Sequence, residues 1–393
     1  MYLHLTSLPG PYGIGEIGAA ARAFVDTMRA MELSVWQFLP LGPTHGHGSP
    51  YESLSSFAGN PEFIDLRECL KHGWLDAASL QQCDDAEKHA SARKSASSLF
   101  WKQVKNDKQL AEYLDTFRQN HSYWLEDYAL FTALKAVFQD RAWWQWPKPL
   151  RDREDVAIEK IKTENRELID LVIFEQYLFD RQWHELKAYA ESKNVQLFGD
   201  LPIYVAHDSA DVWSHRDDFT VNEKGLCTEV AGVPPDYFSA TGQRWGNPLY
   251  KWDVLKQDDY GWWKERFLTQ LELFDIIRLD HFRGFEKYWE LPAASETAIN
   301  GRWVEGPGED LFKALERAFG SLPLVAEDLG IITDEVTALR EKFNLPGMKI
   351  LQFAFDGSAS NPYLPHPHVQ HSVVYTSTHY TDTTLRSYQT LPL

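Results

Sequence analysis

The sequence predicts an α/β fold, a (β/α)8 barrel of the TIM type enlarged by a helical and a loop insertion. Three observations carry this expectation. Short apolar runs end abruptly on acidic or polar residues, helical stretches lie between them, and the residues that close the runs share a chemistry. Strands buried on both faces read as near-continuous apolar segments, and in such a barrel functional groups gather where the strands end at one face.

The runs occupy residues 35–41, 195–198, 274–279, 322–326, 348–355 and 372–375. Asp200, Asp280, Glu327 and His379 follow four of them. Helices are expected over 19–31, 166–192, 253–273, 309–319 and 334–343, the last with Thr333 as its N-cap. This alternation is the signature of a parallel α/β architecture. Residues 1–66 are expected to begin the catalytic barrel. Residues 67–165, rich in Ala, Lys, Glu and Trp, read as an inserted, mostly helical subdomain. Residues 166–393 supply the rest of the barrel, with 208–252, rich in Gly, Pro and aromatics, expected as long loops over its mouth.

Composition narrows the function. Fifty-seven acidic against 39 basic side chains give a net charge of −18 over 393 residues, a field that repels phosphate backbones and anionic lipid. Nucleic acid and membrane partners are therefore not expected. The chain shows neither an apolar run of the roughly 20 residues that cross a bilayer nor a signal region, so a cytoplasmic protein is expected. Cys69, Cys83 and Cys227 form no CxxC pair and imply no disulfide framework. The unusual feature is aromatic, with 15 Trp, 17 Tyr and 22 Phe. Most such rings fill cores, but Trp and Tyr in loops also suit the apolar faces of sugars.

Gly13-Ile14-Gly15-Glu16-Ile17-Gly18 matches GxGxxG, yet Pro9 and Pro11 separate it from any strand and no acidic residue closes the next run. A tight turn into a helix is the expectation. His366, His368 and His371, with His45 and His47, read as ordinary loop histidines, so neither metal nor cofactor is expected. Asp280 and Glu327 carry more weight. Two carboxylates at nearby strand ends suit retaining glycoside chemistry, a nucleophile and an acid/base roughly 5 Å apart. Rim ion pairs with Arg278 and Arg283 are the other reading, and the same arginines suit catalysis, because nearby positive charge favours an ionised carboxylate.

At these residues the chain resembles the amylomaltases, the 4-alpha-glucanotransferases or disproportionating enzymes of the alpha-amylase clan. The similarity runs through His4-Leu5-Thr6-Ser7-Leu8-Pro9-Gly10-Pro11-Tyr12-Gly13, Ser49-Pro50-Tyr51, Phe57-Ala58-Gly59-Asn60-Pro61, Gly199-Asp200-Leu201-Pro202-Ile203-Tyr204, Gly232-Val233-Pro234-Pro235-Asp236-Tyr237-Phe238-Ser239, Gln243-Arg244-Trp245-Gly246-Asn247-Pro248, Arg278-Leu279-Asp280-His281-Phe282-Arg283-Gly284 and Ala326-Glu327-Asp328-Leu329-Gly330. The resemblance implies cofactor-free transfer of alpha-1,4-glucan segments through a covalent glucosyl-enzyme, with maltooligosaccharides as partners. It makes Asp280 the nucleophile and Glu327 the acid/base. Arg278 orients Asp280, Asp200 and His281 bind sugar hydroxyls, and Tyr51 stacks near the donor. Asp236 and Tyr237 belong to a loop closing over the cleft, and Trp245 and His379 complete the substrate-binding set.

One segment departs from the pattern. Where the family continues Thr-His-Asp-Asn-Asp, this chain has Thr378-His379-Tyr380-Thr381-Asp382. Tyr380 replaces a carboxylate that holds two sugar hydroxyls and stabilises the charged transition state. The chain then stops at Leu393, before an eighth strand. The expectation is a 4-alpha-glucanotransferase of impaired activity. Its alternatives are a catalytically dead glucan-binding protein and an alpha-glucan hydrolase.

Overall fold

The computed structural model describes residues 1–390 apart from Tyr12, Tyr237, Phe238 and Tyr380. Among the described residues the strands are β1 (Val35–Gln37), β2 (Gln196–Leu201), β3 (Glu229–Val233), β4 (Gln243–Pro248), β5 (Ile276–Leu279), β6 (Lys287–Pro292), β7 (Arg302–Glu305), β8 (Leu324–Ala326), β9 (Gly347–Ile350) and β10 (Ser372–Tyr375). The order β1-β2-β5-β8 forms a parallel sheet, and β9 and β10 form a parallel pair. Ala326 N–H donates to Pro346 O at 2.9 Å and joins the two groups. At the other edge Tyr2 bridges in parallel to Gln37. Helices Arg166–Ser192, Gly261–Leu273, Gly308–Phe319 and Asp334–Lys342 lie before β2, β5, β8 and β9. This is the strand-and-helix winding expected of a TIM-type fold.

Side chains on a strand alternate between faces, and the parallel strands sort them strictly. Val35, Phe198, Ile276, Val325, Met348 and Val373 pack together as one small apolar cluster. Two residues further along each of five of these strands stand Gln37, Asp200, Arg278, Glu327 and Tyr375, so the same face turns polar towards the strand ends. The intervening residues Trp36, Leu197, Ile277, Leu279, Leu324 and Ala326 join the main core. Apolar packing thus seals one end of the strand layer and leaves the other for chemistry.

The helix Arg166–Ser192 buries Val172, Ile173, Phe174, Leu178, Trp183 and Leu186 along its length. Two buried glutamines on it act as clamps. Gln176 accepts from Gly59 N–H at 2.8 Å and donates to Gly59 O at 2.9 Å, and Gln182 does the same with Asp65 at 2.8 and 2.9 Å. Satisfied on both sides, these amides cost nothing in unpaired polar groups and fix the segment that follows Tyr51. Between residues 67 and 165 the described residues form helices and no strand.

Three expectations require correction. Residues 208–252 are not only loops, because β3 and β4 lie there in an antiparallel sheet of order β4-β3-β6-β7. Their partners are remote in sequence, and Gly, Pro and aromatic content hides a strand whose pairing is non-local. The helix expected over 253–273 breaks into Trp252–Gln257 and Gly261–Leu273. Asp259 and Tyr260 take positive φ of 56° and 60° at the break, a conformation that ends a right-handed helix. Thr333 stands at the N-cap position but makes no capping hydrogen bond.

Replacing Phe198, the buried ring of the inner apolar cluster, by alanine is expected to cost about 3–5 kcal/mol. The urea midpoint followed by circular dichroism measures this, and an unchanged midpoint would remove Phe198 from any role in sealing the layer.

Candidate active site

The site grows from strand register. Asp200 and Arg278 are paired positions on β2 and β5, so their side chains leave the sheet on the same face. Asp280, two residues beyond Arg278, shares that face. The Arg278 guanidinium donates through Nη1 to both oxygens of Asp200, at 2.7 and 2.8 Å, and its Nη2 lies 2.8 Å from Asp280 Oδ1. Asp200 and Arg278 are each only 3% exposed. Tyr51 O–H donates to the remaining side of Asp200 at 2.6 Å. Burial pushes the Asp200 carboxyl up, while the Arg278 cation and the Tyr51 hydroxyl oppose it. Asp200 lies within β2 rather than beyond its end.

Glu327 enters from the neighbouring strand. Leu279 and Ala326 are register partners of β5 and β8, and Glu327 N–H donates to Leu279 O at 3.0 Å. Asp280 and Glu327 are therefore the next residues of two adjacent strands. Two backbone amides hold the Glu327 carboxyl, His281 N–H to Oε2 at 2.8 Å and Leu329 N–H to Oε1 at 3.0 Å. His281 reaches this position in the left-handed region, φ 49°, a strained conformation of the kind that gathers at functional sites. Burial pushes Glu327 up to about 7, with the Arg278 cation opposing and the Asp280 charge assisting. A carboxyl in this state can give a proton and take one back at neutral pH.

Other expected residues surround this centre. The Tyr51 ring stacks on His379, with centroids 5.3 Å apart and planes 9° apart. Burial lowers His379 and His281 to about 4, so both imidazoles are neutral at pH 7. Trp245, on β4, meets His281 edge-on at 4.8 Å. Asp236 accepts from Ser239 N–H at 2.8 Å within its own loop. Tyr237 and Tyr380 lie outside the described residues. Of the two arginines expected at the rim, Arg278 makes the carboxylate contacts, whereas Arg283 lies 4.0 Å over the Trp303 ring and donates to Ile331 O.

Sequence reasoning missed several participants. Tyr2 shares a 2.6 Å hydrogen bond with His379 Nδ1, and Tyr375 O–H donates to Gln37 Oε1 at 2.8 Å. The two-residue spacing from Val35 to Gln37 and from Val373 to Tyr375 was the available signal. Tyr204, whose ring lies 6.5 Å from that of His281, carried none beyond its place in a matching segment. Gly13 to Gly18 form the turn into the helix Ala19–Ala30, where a Cβ on Gly18 would lie 2.2 Å from an Asp65 carboxylate oxygen. Among the described residues no three His, Cys, Asp or Glu side chains converge as a metal site needs, and no helix is long and apolar enough to cross a membrane.

A parallel barrel-type layer carries a buried arginine between two carboxylates, with a glutamate raised by burial on the next strand, an arrangement of the TIM-type enzyme class. The family model described as 4-alpha-glucanotransferase matches residues 3–390. The chain is 50% identical over 399 residues to the 4-alpha-glucanotransferase of Thermus thermophilus, covering 99% of this chain and 79% of that protein. It is 45% identical over 403 residues to that of Synechocystis, covering 98% and 79%. The solved amylomaltase from Streptococcus agalactiae in complex with acarbose superposes with a TM-score of 0.95 at 34% identity, covering 100% of this chain and 81% of that one. The chain belongs to the 4-alpha-glucanotransferase family, enzymes that act on alpha-1,4-glucans, and the expected TIM-type fold and enzyme class are borne out.

Burial of the Glu327 carboxyl makes stability depend on pH. Its folded value of about 7 exceeds the ordinary value of 4.5, so the cost is absent below the unfolded value, grows as pH rises between the two, and is complete above the folded value. That difference corresponds to about 3 kcal/mol at pH 8. Glu327→Gln removes the titration, so the variant is expected to gain about this much over the wild type at pH 8 relative to pH 5, read from urea midpoints. Identical pH dependence in the two proteins would refute the assignment.

Proposed function

We propose that this chain transfers alpha-1,4-glucan segments with Asp280 as nucleophile and Glu327 as acid/base. The observation that supports this most directly is the Tyr51–Asp200–Arg278–Asp280 chain of contacts beside an amide-held Glu327. Arg278, fixed by Asp200, holds one oxygen of Asp280, leaving the other for C1 of the donor sugar. As the Asp280–C1 bond forms, the glycosidic C1–O bond breaks and Glu327 gives its proton to the leaving oxygen. The 4-hydroxyl of an acceptor glucan then attacks C1 while Glu327 recovers the proton, and Asp280 is released. Two inversions at C1 preserve the alpha configuration.

In this reading Tyr51, Asp200, His281, Trp245 and His379 bind the sugars. A neutral imidazole has one donor and one acceptor, which at His281 suits sugar hydroxyls, while His379 engages Tyr2 through Nδ1. Asp236 and Tyr237 belong to a closing loop, 234–239, whose role is to keep water from the intermediate so that transfer outruns hydrolysis. The substrates proposed are maltooligosaccharides and longer alpha-1,4-glucans. Segments 67–165 and 208–252 are proposed as insertions into the barrel. The unpaired cysteines Cys69, Cys83 and Cys227 agree with a cytoplasmic setting.

Tyr380 is proposed to limit the rate, because a neutral phenol supplies no charge to the developing cation at C1. Removing such a preorganised group commonly costs roughly 10²–10³ in rate, and Tyr380→Asp is expected to restore that much. Glucose release from maltotriose measures it, and equal rates before and after would reject the role of Tyr380. In the Tyr380→Asp background, maltotriose is expected to yield longer oligosaccharides together with glucose. Only shorter products would favour a hydrolase. Adding Asp280→Asn is expected to lower turnover by at least about 10³-fold, as loss of a nucleophile does. Retention of turnover would exclude Asp280 from covalent chemistry.

A further inference from the structure

We infer that Asp328 is a positioning residue for Glu327: by taking the Met348 amide out of the β8–β9 ladder, it sets the backbone turn that aims Leu329 N–H at the Glu327 carboxyl. The inference rests on the assignment of Glu327 to proton transfer and extends it to a neighbour that faces away from the cleft.

The geometry begins with an interrupted rung. In a parallel ladder, a residue whose N–H donates to position j−1 of its neighbour also accepts, through its C=O, from the N–H of position j+1. Ala326 N–H donates to Pro346 O at 2.9 Å, so the next rung would run from Met348 N–H to Ala326 O. Met348 N–H instead donates to Asp328 Oδ1 at 2.6 Å, and β8 and β9 end in separate sheets. The other oxygen, Oδ2, lies 3.3 Å from Arg340 Nε, and Arg340 Nη1 donates to Leu345 O at 2.9 Å. One carboxylate thus ties the end of β8 to the start of β9 and to the helix Asp334–Lys342.

Gly347 is fitted to this arrangement. A Cβ there would lie 2.4 Å from Asp328 Oδ2 and 2.8 Å from Oδ1, so any larger residue displaces the carboxylate. The consequence reaches Glu327 through the chain itself. Asp328 stands between Glu327 and Leu329, whose N–H meets Glu327 Oε1 at 3.0 Å. With residue 328 pinned on the far side, that amide has one direction. A hydrogen bond to the ionised form of a carboxyl favours ionisation, so the clamp holds Glu327 below the value that burial alone imposes.

The test reads the titration of Glu327 directly, in protein labelled with [δ-13C]glutamate. The Glu327 resonance is the one missing from E327Q. In D328A the Leu329 amide loses its aim, and the midpoint is expected to rise by about half a pH unit or more. Loss of the Asp328 negative charge would by itself lower the midpoint, so a rise reports the amide. D328N keeps an oxygen for Met348 N–H and is expected to show no rise. G347A keeps every charge while displacing the carboxylate, and is expected to behave as D328A, so either variant serves if the other does not fold. A merely structural Asp328 would lower thermal stability and leave the Glu327 midpoint in place. An unchanged or lowered midpoint in folded D328A or G347A overturns the inference. A Glu327 midpoint in the ordinary carboxylate range in the unmutated chain would instead withdraw the acid/base reading on which it depends.

Discussion

Everything at the mouth of this fold depends on one buried cation. Taking a guanidinium out of water costs several kcal/mol after relaxation, and Arg278 meets that cost with Asp200 on one side and Asp280 on the other. The three charges cannot be considered singly. Removing Asp200 would free Arg278 Nη1 from both oxygens that hold it, and removing Arg278 would leave the buried Asp200 facing the partly buried Asp280. Glu327 belongs to the same balance, since burial and the Asp280 charge raise its carboxyl while the Arg278 cation opposes them.

The cation can sit there because of the layer beneath it. Inward positions of the parallel strands carry Val35, Phe198, Ile276, Val325, Met348 and Val373, and on all but the strand of Met348 a polar group follows one pleat higher. A one-residue slip of β5 against β2 would send Arg278 and Asp280 into the outer core, into the places that Ile277 and Leu279 fill in the native register. The apolar layer therefore fixes register as well as stability, and the register pairs Asp200 with Arg278. The geometry of the candidate site is specified by the hydrophobic packing below it.

Much of this was legible in the sequence where information is local. The helix Arg166–Ser192 lies where its apolar spacing placed it, and β10 coincides with the run 372–375. Asp280 and Glu327 stood out because each directly follows an apolar run. What escaped was non-local. β3 pairs with β6 more than fifty positions away, and Gly232 within β3 gives no local cue to that pairing. The break at Asp259 and Tyr260 rests on backbone angles that neither residue type announces. Asp328 stood in the sequence only as one position of a matching segment, and its hold on Met348 appears only with β8 and β9 side by side.

The contacts of Tyr2 with His379 and of Tyr375 with Gln37 join residues 377 and 338 positions apart. A ribosome delivers them in order, so the first strands emerge long before the groups that cover their polar face. At roughly 5–20 residues per second, Gln37 waits on the order of 20–70 s for Tyr375. During that interval the nascent layer has an open flank, and its inner apolar side chains are available to whatever reaches them first. Such a chain has reason to depend on holdase protection at the tunnel exit, and slowing synthesis late in the message lengthens its most vulnerable stage.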